Sequence, residues 1–434
     1  MTNLFEKKFK LSEYNTNIKK EIVAGFATFI TMAYVLATIP NILSSAGFDK
    51  SATLVSMVFL IVLTTVAMAL YTNRPFALAP GLGSVSIVSG MIASEGIPVD
   101  IAAGVIILSG ILFIIVTYFG LRKAVVDVIP KSMKYAISAG IGLFIALIGV
   151  RSTHLIVANA ASNKLVFGDL TSPAVVLTII GLVIILIFKA RNVPGYIISS
   201  IILTTIIGIP MGLTKLPTHI VSLPTSFGSN FLNIDIIGAF NFKYFPFLIA
   251  LFIPDFFSTF GTVIGVSAKA GYLDENGDLP GIDDCFKVDA IATAVGGLFC
   301  MPCLTTYLES SVGIESGGRT GLTVISTSFF FIIALFFAPL ALMIPKAATA
   351  PALIYIGVTM LTAMKNIDYS DYTEYIPAFI CIVFTLFASN IANGICLAIP
   401  AYFILKIASG KFKELSPVMY VMTAISILYL INIM

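Results

Sequence analysis

The chain is a succession of apolar runs, each close to the roughly 20 residues a helix needs to cross about 30 Å of hydrocarbon. They can be drawn at residues 21–46, 51–71, 100–121, 132–151, 172–189, 194–212, 243–268, 285–301, 319–343, 348–365, 374–389 and 391–408. Between them lie two stretches, 75–84 and 305–314, that are apolar but broken by Gly, Ser and Pro. Inside a bilayer an irregular backbone leaves amides and carbonyls unpaired, which is tolerated only where they line a cavity or meet a ligand. Counting each broken stretch as a short segment gives about fourteen segments. A last apolar run at 416–434 could span or lie at the interface.

Composition agrees. With 58% hydrophobic and 11% charged residues, against about 25% charged in soluble domains, this is an all-α polytopic membrane protein whose first partner is the lipid bilayer. Residues 1–20 carry Lys7, Lys8, Lys10, Lys19 and Lys20 without an apolar core or cleavage site, so they read as a cytoplasmic N-terminus and not a signal peptide. Arg74, then Arg122 with Lys123, Lys131 and Lys134, then Lys189 with Arg191, Lys269, Arg319, Lys365, and Lys406 with Lys411 and Lys413 fall on alternate loops. That alternation places them all inside a bacterial-type inner membrane. The opposite loops, 152–170 and 213–242, are rich in Ser, Thr and Asn.

The net charge of +3 comes from the basic loops, and no basic cluster interleaved with aromatics offers a nucleic-acid surface. Cys300-Met301-Pro302-Cys303 has no second pair or histidine nearby to complete the four ligands of a structural zinc site. Neither metal nor cofactor is expected. With no HExxH and no Ser/His/Asp set at membrane depth, neither is an enzyme.

Residues 21–212 and 243–434 repeat one order of runs, with the third member broken in each half. Seven segments per half is an odd number, so the second copy is upside down relative to the first, as in the inverted repeats of many secondary carriers.

An ionised side chain at membrane depth costs at least about 2.5 kcal/mol on insertion scales. Glu309, opening the second broken element, can accept hydrogen bonds from free amides or from a ligand ring N–H. Asp255 follows Pro254, where a kinked helix would free a carbonyl. Glu315 and Arg319 are spaced to pair across one helical turn, and Lys287 and Asp289 open the ninth segment at the interface. The acidic stretch 272–284 lacks the spacing of a calcium loop and reads as a solvated turn.

Several motifs, in order, carry a resemblance along nearly the whole chain. They are Gly25-Phe26-Ala27-Thr28-Phe29-Ile30-Thr31-Met32-Ala33-Tyr34, Phe76-Ala77-Leu78-Ala79-Pro80-Gly81-Leu82-Gly83, Ala270-Gly271-Tyr272-Leu273-Asp274-Glu275-Asn276-Gly277, Thr305-Thr306-Tyr307-Leu308-Glu309-Ser310 with Gly317-Gly318-Arg319-Thr320-Gly321-Leu322-Thr323, and Ala348-Thr349-Ala350-Pro351-Ala352-Leu353-Ile354. Through them the chain resembles the nucleobase/ascorbate transporter superfamily, in particular its AzgA-like adenine, guanine and hypoxanthine permeases. The resemblance implies a core domain of segments one to four (21–121) and eight to eleven (243–343). It implies a gate domain of segments five to seven (122–212) and twelve to fourteen (344–408), with an extracytoplasmic loop at 213–242 and a C-terminal apolar segment at 409–434. Segments three and ten would contain short antiparallel strands, and substrate would sit between them and segment eight.

By motif, Glu309 would grip the base, with backbone contacts from Ala79, Pro80, Gly81, Gly83 and Ser84 and from Leu308 and Ser310; Ser258 and Thr259 would add hydrogen bonds, and Phe76 or Phe257 could stack on the ring. The chain departs from the family at three places. Phe257-Ser258-Thr259 stands where AzgA-like members read Phe-Asp-Thr, Ile39 replaces an Asn before Pro40, and Val85 or Ser84 replaces an Asn after the Gly-x-Gly pattern. Each departure removes a polar or acidic group. Proton coupling would then fall to Glu309 alone, or Asp255, one turn before Ser258 on a similar face, would take the lost role.

The expectation is a secondary transporter importing guanine, hypoxanthine, adenine or xanthine by proton symport and alternating access, with a homodimer compatible with the fold. The alternative is a uniporter or carrier of the same fold for another planar or anionic solute.

Overall fold

The computed structural model describes residues 2–119, 130–159, 164–193, 195–272, 279–388 and 391–433. Residues 273–278 of the acidic turn, the cations Arg122 and Lys123 and the side chains of Lys131, Phe257 and Lys269 lie outside what it describes. A short helix α1 (Thr2–Phe9) precedes the first crossing, made of α2 (Ile18–Met32) and α3 (Val35–Leu43). α4 (Lys50–Thr72) follows, capped by Asp49 and stopped by Asn73 at φ 52°, the left-handed conformation common after a helix end. The third segment is a strand, β1 (Leu78–Pro80), continued by a half-helix, α5 (Leu82–Ala93). α6 (Val99–Tyr118), α7 (Lys131–Ser152), α8 (Pro173–Ala190) and α9 (Tyr196–Gly208) complete the first half.

After the one-turn α10 (Ile236–Ala239), the second half repeats the order. α11 (Phe245–Ala270) and α12 (Ile282–Gly297) lead to β4 (Leu304–Thr306) and the half-helix α13 (Ser310–Glu315). Then come α14 (Gly321–Phe336) with α15 (Ala338–Leu342), α16 (Lys346–Met360), α17 (Tyr372–Phe387), α18 (Ile391–Ala408) and α19 (Pro417–Ile433). Among the described residues seven helical stretches are long and apolar enough to cross a membrane alone, and α5, α9, α14, α17, α18 and α19 are shorter apolar helices. An unanticipated hairpin, β2 (Ile156–Asn159) with β3 (Lys164–Phe167), lies in the loop after α7.

The packing obeys the repeat. β1 pairs antiparallel with β4, with Ala79 opposite Thr305, so the two broken segments meet at the symmetry axis. α7 packs on α16, its counterpart in the other half. α6 packs on α12, and the equivalent pair, α14 and α4, packs likewise. Both equivalent crossings bring backbones together at glycine. A Cβ at Gly110 would lie 2.5 Å from the Ala294 nitrogen, and one at Gly321 would lie 2.4 Å from the Ala69 carbonyl oxygen. Helices 2, 4, 6, 11, 12 and 14 thus pack as one group, and helices 7, 8, 9, 16, 17 and 18 as another.

Candidate functional site

Three-residue strands are too short to hold themselves, and their surroundings supply the missing bonds. Leu78 N donates to Thr65 Oγ1 (3.0 Å), Ala77 N to Ser310 Oγ (3.0 Å), Tyr307 N to Ala77 O (2.9 Å) and Tyr307 Oη to Pro80 O (2.6 Å). Phe76, Ala77, Leu78 and Ala79 are fully buried. Phe76 therefore packs in the core and presents no face for stacking.

Each strand runs into a helix N-terminus, so two positive dipole ends converge on the strand pair. Their free amides differ. Gly81 caps α5 without a side-chain bond, leaving the first-turn N–H groups of Leu82, Gly83 and Ser84 beyond intrahelical acceptors. In α13 the N–H groups of Ser310, Ser311 and Val312 are already taken by the carbonyls of Tyr307, Leu308 and Glu309. The Ser310 amide is thus engaged, while Gly83 and Ser84 offer donors.

Glu309 occupies the N-cap position of α13. Its Oε1 accepts from Tyr34 Oη (3.0 Å), and Tyr34 is 3% exposed where α2 breaks into α3. Leu308 is 59% exposed and Ser258 is also exposed, with Glu309, Gly81 and Gly83 half-buried. Glu309, Leu308, Gly81, Gly83 and Ser258 are the sequence-derived residues with accessible surface. Ile39 is fully buried, and Thr259 turns inward.

Behind β4 is a cluster the sequence reading divided wrongly. Asp255 and Thr259 lie four apart on α11, Asp289 and Thr293 four apart on α12, and they bond crosswise. Thr293 Oγ1 donates to Asp255 Oδ2 (2.8 Å) and Thr259 Oγ1 to Asp289 Oδ2 (2.7 Å), with Thr305 Oγ1 of β4 2.8 Å from Thr259 Oγ1. Both aspartates are buried, at 2% and 0% exposure. Asp289 is therefore not interfacial, and Asp255 does not share the exposed face of Ser258. No described lysine or arginine forms an ion pair with Asp255, Asp289 or Glu309.

Glu21 is a second residue that sequence reasoning passed over. It is fully buried and gathers Arg319 N (2.9 Å), Thr320 N (3.2 Å), Thr320 Oγ1 (2.9 Å), Thr323 N (3.1 Å) and Thr323 Oγ1 (2.5 Å). A carboxylate on α2 thereby caps α14. Because α13 ends at Glu315, Arg319 lies on a separate turn, and its guanidinium donates to the carbonyls of Ile314 (2.6 Å) and Gly318 (2.7 Å).

Inverted seven-segment repeats with their broken members joined by a strand pair define a polytopic membrane permease. Residues 19–397 match the family model Xan_ur_permease, described as a permease family, and the chain belongs to it, the nucleobase/ascorbate transporter family. It is similar along its length to MJ0326 of Methanocaldococcus jannaschii, a permease by name without a stated cargo, at 40% identity over 97% of this chain and 96% of that protein. It is 36% identical to the adenine permease AdeP of Escherichia coli over 99% of this chain and 96% of the relative. It is 35% identical to the guanine/hypoxanthine permease PbuO of Bacillus subtilis over 95% and 97%. The family and these relatives are permeases and not enzymes. The transmembrane domain of the cyanobacterial bicarbonate transporter BicA shares the fold, with a TM-score of 0.63 at 17% identity over 89% of this chain and 97% of that one.

Proposed function

We propose that the chain imports a purine nucleobase, coupled to a proton, by exposing one site alternately to the two sides of the cell membrane. The observation that carries this reading is Glu309, a half-buried carboxylate with one tyrosine partner, set across the β1–β4 pair from the uncapped first turn of α5. A purine carries ring N–H donors and ring nitrogen or carbonyl acceptors on one planar edge. Glu309 would accept from the former, and the Gly83 and Ser84 amides would donate to the latter. Ser258, on the open side of α11, would add a hydroxyl. The names of the adenine and guanine/hypoxanthine relatives support the purine class.

Coupling needs a group whose hold on a proton changes when substrate binds. Glu309 would be that group, with Asp255 and Asp289 behind β4, Asp289 linked to the strand through Thr259 and Thr305. A proton held there would spare the molecule a bare charge at depth. In this reading helices 2, 4, 6, 11, 12 and 14, with the strands, form the moving core, and helices 7, 8, 9, 16, 17 and 18 form the gate. The N-terminus lies in the cytoplasm, and the same fold can pair into a homodimer.

The test is equilibrium binding of adenine, guanine, hypoxanthine and xanthine to purified protein, read as ligand-induced thermal stabilisation. At least one base should stabilise the parent, and Glu309→Gln, if it unfolds at the parent's temperature without ligand, should lose that stabilisation. Stabilisation by an inorganic or organic anion alone would point to an anion carrier instead.

A further inference from the structure

At the end of the bundle opposite the N-terminus the two helix groups meet through polar atoms. Asn41, on α3 and 6% exposed, donates from Nδ2 to the Ile344 carbonyl (3.3 Å) and to Thr349 Oγ1 (3.4 Å). Its Oδ1 accepts from Lys50 Nζ (2.5 Å), at the start of α4. Lys346, the first residue of α16, donates from Nζ to Ser45 Oγ (3.0 Å). Asn41 and Ser45, on and just after α3, and Lys50 on α4 belong with the first group, since α3 packs on α4 and α5 and α4 on β1, and Lys346 and Thr349 on α16 belong to the other.

The chemistry of this contact suits repeated opening. Each hydrogen bond exchanges with water at small net cost, so both halves are stable when solvated, whereas an apolar seam would resist parting. Neither ammonium meets a carboxylate among the described residues. Two like charges, one from each group, are therefore held at one patch by neutral oxygens alone. That repulsion weakens the closed state, where a cross-domain ion pair would have locked it.

We propose that Asn41, Lys50, Ser45, Lys346 and Thr349 form a reversible polar clasp that shuts this end of the permease and parts each time the site opens toward it. The inference rests on the alternating-access reading above.

Its test joins the two sides. Ser45→Cys with Lys346→Cys, bridged by a reducible bifunctional thiol reagent, should lose uptake, and a reductant should restore it; the native cysteines are buried. Complete bridging, verified by mass, with uptake unchanged would overturn the clasp. A second arm does not need transport. Ala352, fully buried three residues beyond Thr349 on α16, is replaced by cysteine and exposed to a membrane-impermeant maleimide. Labelling should rise several-fold when Asn41→Ala is added. Equal labelling in both backgrounds would overturn the clasp even if no solute were transported, an outcome that would separately end the transport reading.

Discussion

Tyr34 and Glu309 are 275 residues apart in sequence and share one hydrogen bond. If that bond orients the carboxylate for a base, Tyr34→Phe should weaken purine binding by about 1.5–3 kcal/mol, the worth of a hydrogen bond to a charged group, or roughly tenfold and more. Titration calorimetry on the purified variant checks it, and unchanged affinity would make the tyrosine a packing residue. Glu21 acts on stability instead. Glu21→Ala strands buried donors at about 1–3 kcal/mol each, so the melting temperature should fall clearly, with Glu21→Gln recovering part of the loss. Glu309 was legible in sequence because an acid inside a broken apolar stretch demands a reason. Tyr34, Asp289 and Glu21 were not. One is an ordinary aromatic in an apolar run, Asp289 sits two residues from Lys287 and so read as interfacial, and Glu21 follows the basic N-terminus, while the partners of both acids come from remote segments.

At the scale of elements, the two helix crossings depend on backbones in contact. Gly110→Leu should destabilise by about 1–3 kcal/mol or more through overpacking, measured as a lower unfolding temperature in detergent, because Ala294 opposes it with backbone. Outside the membrane, Asp371 caps α17, accepting from Thr373 N (2.9 Å), while Lys411 Nζ reaches its other oxygen (2.5 Å) and ties the ends of α17 and α18. The Lys411 and Thr373 hydrogen bonds hold its carboxyl well below the usual carboxylate range. Such a group stabilises fully above its unfolded pKa, near 3.9, and loses that contribution as pH falls through its lower folded value. The melting-temperature gap between the parent and Asp371→Asn should therefore be constant from pH 7 to 5 and close only below the ordinary carboxylate range. A gap that closed near pH 6 would assign the effect to another group. Helices were readable from run length alone. The β1–β4 pair was expected from the family resemblance, since three residues carry no alternation, and the hairpin at Ile156–Phe167 was lost in a loop read only by its polarity.

The whole molecule is one seven-segment plan used twice in opposite orientations, and its consequence is that the broken members meet on the axis. The order of apolar runs contained that plan, but not the depth at which Asp255 and Asp289 lie or the way α11 divides its faces between them and Ser258. At that axis the proposed site carries a purine across the membrane with a proton. The direct measurement is uptake of labelled adenine, guanine, hypoxanthine and xanthine by cells expressing the chain, with and without a protonophore, beside Glu309→Gln at matched expression. Protonophore-sensitive uptake of at least one purine, abolished in Glu309→Gln, is the predicted result. Uptake that survives the protonophore would contradict proton coupling, and no uptake of any purine would contradict the account as a whole.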